Sequence, residues 1–491
     1  MKPILLAFCL ATPLLTGCAV GPDYVKPDFG TPQSWSSDRH QPAQTLRLAH
    51  WWRGFGDALL DQLIGEAVGG NLDVAAAKAR IREARATQRQ AVGALFPSVS
   101  GTGSATETRS AGTSASGIAI APTTYSQFQA GFDSSWELDL FGANRRAVEA
   151  AGYGIDAAED DLRATLLTLI GDVASNYIDA RAYQARVALA RRTAASQRET
   201  AALTERKQNA GSASAVDTAK ASALAASTEA TIPTYESSYQ QAVHRLGVLL
   251  GRDPTALSLR LARATAIPSP RLPLPKGIPA DVLVMRPDVR KAERQLAQYT
   301  AKIGQATAAL YPDVSLTGSV STTALKLGDL GKSSTIGWSI GPSVSLPIFN
   351  GGKLQAAVEI AQAQRDEYHV AWQSAVLTAL EDVENAIVSL AQERIRIRSL
   401  SESARRYGEA AKLSRALYQT GSSTFLDVLD AERSQFTAED SLLASRATLA
   451  KNYVALAKAL GGGWTGALDS SAPIVVDDNT GPHLAQAIAP K

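Results

Sequence analysis

Three groups of residues in this chain of 491 amino acids have types and spacings that invite chemistry. Cys18 closes the run Leu15-Thr16-Gly17-Cys18, where a thiol follows small residues at the end of a short apolar leader. That is a place for cleavage beside the cysteine and acylation on it. Asp427 and Asp430 stand three apart at the start of a helical stretch, on one face. Two carboxylates there can attract a cation, or can simply oppose the positive end of the helix dipole. The third group, His40, His50, His244, His369 and His483, has neither an H-x-x-x-H spacing nor a carboxylate triad. GFG and GPDY are loop sequences with no nucleophile elbow and no phosphate-binding pattern. The chain is therefore read as a non-enzyme that holds no metal.

Residues 1–17 read as a secretory signal. Lys2 supplies the positive start, and Ile4 to Leu15 is an apolar run too short to remain as a spanning helix. The cleavage site resembles the bacterial lipobox, which implies N-palmitoyl and S-diacylglycerol groups on Cys18. At roughly 0.8 kcal/mol per buried CH₂, several acyl chains make a permanent anchor. Ala19 in place of Asp implies, by the lipoprotein sorting rule, the outer membrane. Cys9 is lost with the leader, so one cysteine remains and no disulfide is expected. The formal charge of +2, from 49 basic and 47 acidic residues, gives no reason to expect nucleic acid. No later run of 18 apolar residues occurs, so membrane contact beyond the anchor falls to strands.

The elements that must position these residues occur twice. ALFPSVS at 94–100 returns as ALYPDVS at 309–315, ELDLFGANRRAVEAA at 137–151 as SLPIFNGGKLQAAVEIA at 345–361, and NAGSASAVDTAKA at 209–221 as QTGSSTFLDVLDA at 419–431. The offsets lie between 208 and 215 residues, far longer than a solenoid repeat. Each half begins with a helix, at 71–95 and 285–310, that Pro97 or Pro312 stops. Two strands follow. In 127–140 Phe128, Ala130, Phe132, Trp136, Leu138 and Leu140 alternate with polar or small residues, and in 335–348 Ile336, Trp338, Ile340, Val344, Leu346 and Ile348 do the same. Their partners at 98–108 and 313–323 alternate more weakly, and the tips between them read as loops. On this pattern alone a sandwich and a membrane barrel fit equally; the anchor favours the barrel, apolar outside and polar within.

Long helical stretches come next, 144–208 and 353–418, each reaching roughly 100 Å if continuous. After breaks at Gly211-Ser212 and Gly421-Ser422-Ser423, helices return over 214–250 and 424–460. Val376, Leu380, Val383, Ile387 and Leu390 form an apolar seam along one of the long helices. Four strands cannot close a barrel, since the smallest membrane barrels have about eight, and open edges in lipid leave backbone groups unpaired. Closure demands several chains, and three supply twelve strands.

Four stretches in fixed order then resemble a known family: Gly17-Cys18 with AVGPDYVKP, WWRGFGDALLDQLI at 51–64, IPADVLVMRPDVRKAE at 278–293, and LYQTGSSTFLDVLDAERS at 417–434. Together they are similar to the outer-membrane factor family, the TolC-like exit ducts of tripartite efflux, and within it to the lipidated NodT-type efflux proteins. The resemblance implies a mixed α and β membrane protein. It would be a homotrimer with a 12-stranded β-barrel, four strands per chain, continuous with a periplasmic α-helical barrel. It implies a lipidated strap and equatorial segment at 18–70 and a first repeat at 71–251. A Pro-rich equatorial linker would occupy 252–284, a second repeat 285–461 and an equatorial tail 462–491. Its partners would be a periplasmic adaptor, an inner-membrane pump of the RND type and outer-membrane lipid. Asp427 and Asp430 would line the closed periplasmic aperture, where threefold symmetry gathers carboxylates near one axis. Tyr418 and Asp217 match positions whose hydrogen bonds and salt links hold it shut. Ser423 stands where some relatives carry an arginine latch, leaving Arg433 or Lys220 as substitutes. The turns at Gly211-Ser212 and Gly421-Ser422 would meet the adaptor, though both glycines also suit helix C-caps. The other reading is a coiled-coil lipoprotein without a pore, which leaves the paired strands and the duplication unexplained.

Overall fold

The structure, a computed structural model, describes residues 19–30, 32, 35, 48–111, 113–115, 118–271, 279–463 and 468–473. The leader, Cys18 and most of the C-terminal tail lie outside these residues. In chain order, a 3₁₀ turn (Trp51–Phe55) precedes α1 (Ala58–Gly70) and α2 (Leu72–Gly93). Then come β1 (Ser98–Arg109), β2 (Thr113–Ala115), β3 (Ile118–Ile120), β4 (Thr124–Glu137), α3 (Ala143–Asn209) and α4 (Ala215–Leu249). After the short α5 (Ser258–Leu261) and α6 (Pro279–Met285), the order helix, strands, long helix, return helix recurs. It runs through α7 (Pro287–Ala308), β5 (Asp313–Ala324), β6 (Ile336–Ser345), α8 (Lys353–Thr420) and α9 (Phe425–Ala459).

The chain divides into two compact units. Among the described residues, the first holds 19–28, 82–157 and 292–372. Its centre is one antiparallel sheet in the order β1-β4-β5-β6, with β1 and β6 at the edges. The register aligns Gly101, Phe132, Val320 and Trp338 across all four strands, and Thr102, Gly131, Ser321 and Gly337 one residue along. Period two therefore resolves into an apolar face and a polar face. Phe132, Val320, Trp338 and Ile340 on the apolar face are exposed.

Several strand boundaries differ from the sequence reading; β6, for one, ends at Ser345 rather than running to Ile348. β4 ends at Glu137 rather than running to Leu140, because Asp139 turns to meet the next helix. Its carboxylate accepts from Asn144 N at 3.1 Å and from Arg145 N at 2.9 Å. The 109–124 tip, read as loop, contains the two-stranded ribbon β2–β3, in which Thr113 faces Ile120.

The Pro/Gly segment 19–30 is not a free tether. Val20 N donates to Phe141 O at 3.1 Å, and the buried Arg146 donates to Val20 O at 3.2 Å and Asp23 at 2.7 Å. Gly21 has φ +88°, and a Cβ there would lie 2.4 Å from Gly304 Cα, so only glycine fits. Tyr24 and Lys26 both reach Glu293.

The second unit holds the described residues of 29–81, 158–291 and 373–473. Trp51, Trp52, Phe55 and Tyr453 pack edge to face inside a core that also takes Leu60, Ile64, Ile170, Tyr177 and Leu246. The seam expected along α8 is present: Val376, Val383, Ile387 and Leu390 are buried, with Leu380 packed beside them. Charged pairs join other helices of this unit. From α3, Arg186 meets Asp440 at 2.7 Å and Arg192 meets Glu439 at 3.2 Å on α9, while Arg191 and Arg198 meet Glu236 and Glu229 on α4. No described helix is long and apolar enough to cross a membrane.

Candidate functional site: the two helical turns

Both turns are built from the same two devices. At the end of α3, Gly211 takes φ +76°, Ser212 N donates to Lys207 O at 2.8 Å and Gly211 N to Gln208 O at 2.9 Å. At the end of α8, Gly421 takes φ +80°, Ser422 N donates to Leu417 O at 2.8 Å and Gly421 N to Tyr418 O at 3.1 Å. This double bond pattern around a left-handed glycine closes the last carbonyls of each helix. Each return helix then starts with a capping box. Ser214 and Asp217 exchange bonds at the start of α4, and Thr424 and Asp427 do so at the start of α9.

Asp427 is thus first a helix-start residue. Its carboxylate accepts from Thr424 Oγ1 at 2.8 Å, Ser423 Oγ at 2.9 Å and Thr424 N at 3.1 Å. Those donors, the Thr424 hydroxyl first and Ser423 next, hold its pKa below the ordinary aspartate value. Asp430, one turn on, is exposed and paired with Arg433 at 2.9 Å. Ser423, expected at the latch position, donates its hydroxyl to Asp427 at 2.9 Å. Asp217 bonds Ser214, and Tyr418 bonds elsewhere, so the structure does not join those two.

Tyr418 is buried. Its hydroxyl donates to Thr204 Oγ1 at 3.3 Å, its ring packs on Phe425 edge to face, and Val428 and Ala221 complete a small core beneath the turns. Lys207 lies over the ring at 4.6 Å and donates to the Tyr418 carbonyl at 2.6 Å. Further along, the buried Glu432 accepts from Thr200 at 2.8 Å and from Arg415 at 2.7 Å. Sequence reading missed Lys207, Thr204, Glu432 and Arg415. The repeat does not point to them, since the counterpart of Tyr418 at the 210-residue offset is Gln208 and not Lys207. Among the described residues no cluster of three or more His, Cys, Asp or Glu is arranged to hold a metal.

Comparison with known proteins places this architecture. The sequence profile described as "Outer membrane efflux protein" matches residues 63–252 and 278–462, once in each half. Nodulation protein T of Rhizobium leguminosarum bv. trifolii is 35% identical over 455 residues, covering 92% of this chain and 96% of its own. The cation efflux system protein CusC of Escherichia coli K12 is 30% identical over 466 residues, 94% of this chain and 99% of its own. The solved outer-membrane channel OprN superposes with a TM-score of 0.85 at 35% identity, over 91% of this chain and all of that one. The chain belongs to the outer membrane efflux protein family.

Proposed function

We propose that the protein is the outer-membrane exit duct of a tripartite efflux system, a passive gated channel assembled from three copies. The observation that carries the reading is the sheet. It is a single layer whose apolar row Phe132, Val320, Trp338 and Ile340 is exposed, with open edges at β1 and β6. A sandwich would cover that row with a second sheet. Lipid covers it if twelve strands from three chains close a barrel, and only closure satisfies the edge backbone in a bilayer. The polar face, with Thr102, Gln127, Gln129, Asp133, Ser319 and Ser321, then lines a watery lumen. Such a lining selects little, so selection falls to an inner-membrane pump of the RND type and its periplasmic adaptor. The matching element order and the two profile matches support duplication of an ancestral half.

In this reading Cys18 carries the N-palmitoyl and S-diacylglycerol anchor, and the docked strap from Val20 onward fixes where that anchor emerges. The turns at Gly211-Ser212 and Gly421-Ser422 meet the adaptor. Asp427 and Asp430, repeated three times, form a cation-attracting aperture, with Tyr418 and Asp217 at the same tip. Single-channel conductance of the purified chain in planar bilayers tests this. Because alanine at 427 would also uncap α9, the comparison is with Asp427→Asn/Asp430→Asn. The wild type should show a small, cation-preferring conductance that divalent cations block, and the variant weaker block and weaker preference. Folded trimers that never conduct would reject the duct in favour of a non-pore coiled-coil lipoprotein.

A further inference from the structure

Each half brackets its strands with aromatic residues at the same end. Phe96-Pro97 and Tyr311-Pro312 precede β1 and β5, and Phe141 and Phe349 follow β4 and β6. Where the halves meet inside one chain, two of these four have each other. Phe141 stacks on Tyr311 with ring centroids 4.7 Å apart and planes 21° from parallel. Beside the stack, Leu138 N donates to Val314 O at 2.7 Å and prolongs the β4–β5 ladder. At the outer edges of the sheet the other two are bare: Phe96 is 63% exposed and Phe349 91%. The repeat makes Phe349 the counterpart of Phe141 at an offset of 208, and Phe96 the counterpart of Tyr311 at 215.

We propose that the β4–β5 junction is the template for the junction between copies. In this arrangement β6 of one chain pairs with β1 of a second copy in a fixed register, and Phe349 stacks on Phe96. The proposal rests on the duct reading above and adds to it the contact and the register. Carrying the observed β4–β5 register across by the two offsets sets Ser345 opposite Ser100, Ser343 opposite Thr102 and Ile340 opposite Ala105. It also gives Leu346 N the carbonyl of Val99 in the second copy, as Leu138 has that of Val314.

The transferred register meets a condition that nothing in its construction guaranteed. A slip of one residue would turn every side chain to the wrong face. Instead Val344, Pro342 and Ile340 fall on the same face as Gly101, Gly103 and Ala105, bulky residues beside small ones. Ser343 and Thr102 both fall on the polar face. A Cβ on Gly103 would meet nothing within 4 Å, so β1 has room there for a bulky neighbour from the second copy. The competing registers are shifts of two residues, which keep the faces. The two hairpins already differ from each other by that amount: Ser98 faces Ser135, whereas Asp313 faces Ser345 and not Ser343.

Cysteine cross-linking of the full chain in membranes separates these registers. Ser343→Cys is combined in turn with Thr102→Cys, Ser100→Cys and Ser104→Cys, and the chain without added cysteines is the control. Disulfides need Cα atoms within about 7 Å, which directly opposed residues satisfy and diagonal ones barely reach. Under mild oxidation the Thr102→Cys pair should give covalent dimers and trimers on denaturing gels, several-fold more than either alternative. Strongest cross-linking through Ser100→Cys or Ser104→Cys would overturn the register and leave the trimer standing. Trimers that none of the pairs links would overturn the β6–β1 junction. A chain that never forms trimers would instead sink the duct reading. For the stack, Phe96→Ala and Phe349→Ala should each lower the temperature at which trimers dissociate, and the double variant should lower it little further. Fully additive losses would show that the two rings do not meet.

Discussion

Asp427 caps α9 and, in the proposed duct, also charges the aperture, and a single alanine would confuse the two. As the third residue of α9 it accepts three hydrogen bonds at the helix start, while its charge faces solvent. Removing the cap partner Thr424 should cost about 1 kcal/mol and speed amide exchange in the first turn of α9, measured by exchange mass spectrometry. The pH behaviour follows from the direction of the shift. A carboxyl whose folded pKa is depressed contributes its cap fully above the ordinary aspartate value, and loses it as pH falls through the lower folded value. In an Asp430→Asn background, cation preference should therefore persist as pH falls through about 4, the ordinary aspartate value, and fade only below it. Reversal potentials in a salt gradient read this directly, and a fade centred above pH 4 would contradict it. Thr424 and Asp427 were legible in sequence as a three-residue cap spacing. Lys207 over the Tyr418 ring was not, because the two lie 211 positions apart and meet only once both helical hairpins are packed.

Helices of 67 and 68 residues need lateral packing, since propensity leaves even good helix formers marginal without tertiary contact. Near the turns that packing is polar as well as apolar. Glu432 is 3% exposed and holds Thr200 of α3 and Arg415 of α8 together. Removing one partner of a buried pair leaves the other uncompensated, at about 3–5 kcal/mol. Arg415 retains partial solvent access, so Glu432→Ala should fall at or below the low end of that range. Thermal melting followed by circular dichroism should show Glu432→Ala and Arg415→Ala to be strongly non-additive; simple addition would mean the pair is not coupled. Several element ends were legible: Pro97 and Pro312 stand just past a helix end, and Gly211 and Gly421 take the left-handed turn after one, although Pro233 lies inside α4. The end of β4 was not. Leu138 and Leu140 continue the alternation, and only the bonds of Asp139 to the first turn of α3 reveal that the strand has already stopped.

At the scale of the whole molecule, the alternation fixed which residues share a face but left the covering of that face open between a second sheet and lipid. The exposed apolar row of the single-layer sheet supports the proposed lipid covering, and adjacent residues of β5 test it. Val320 lies in the apolar row with Phe132 and Trp338, whereas Ser321 lies on the opposite face. Arginine on a lipid-facing barrel position costs about 2–4 kcal/mol at the bilayer midplane and less towards the interfaces. Trimer formation incurs that cost three times, once per chain. Val320→Arg should therefore abolish or sharply reduce trimers refolded into lipid vesicles. Ser321→Arg, one residue away, should assemble normally and shift the channel towards anions, because it adds three positive charges to the lumen. Equal tolerance of both would mean that Val320 does not face lipid. The reverse pattern would mean the sheet is turned inside out. In either case the lumen assigned to the polar face, and the aperture argument that depends on a water-filled path, would have to be withdrawn.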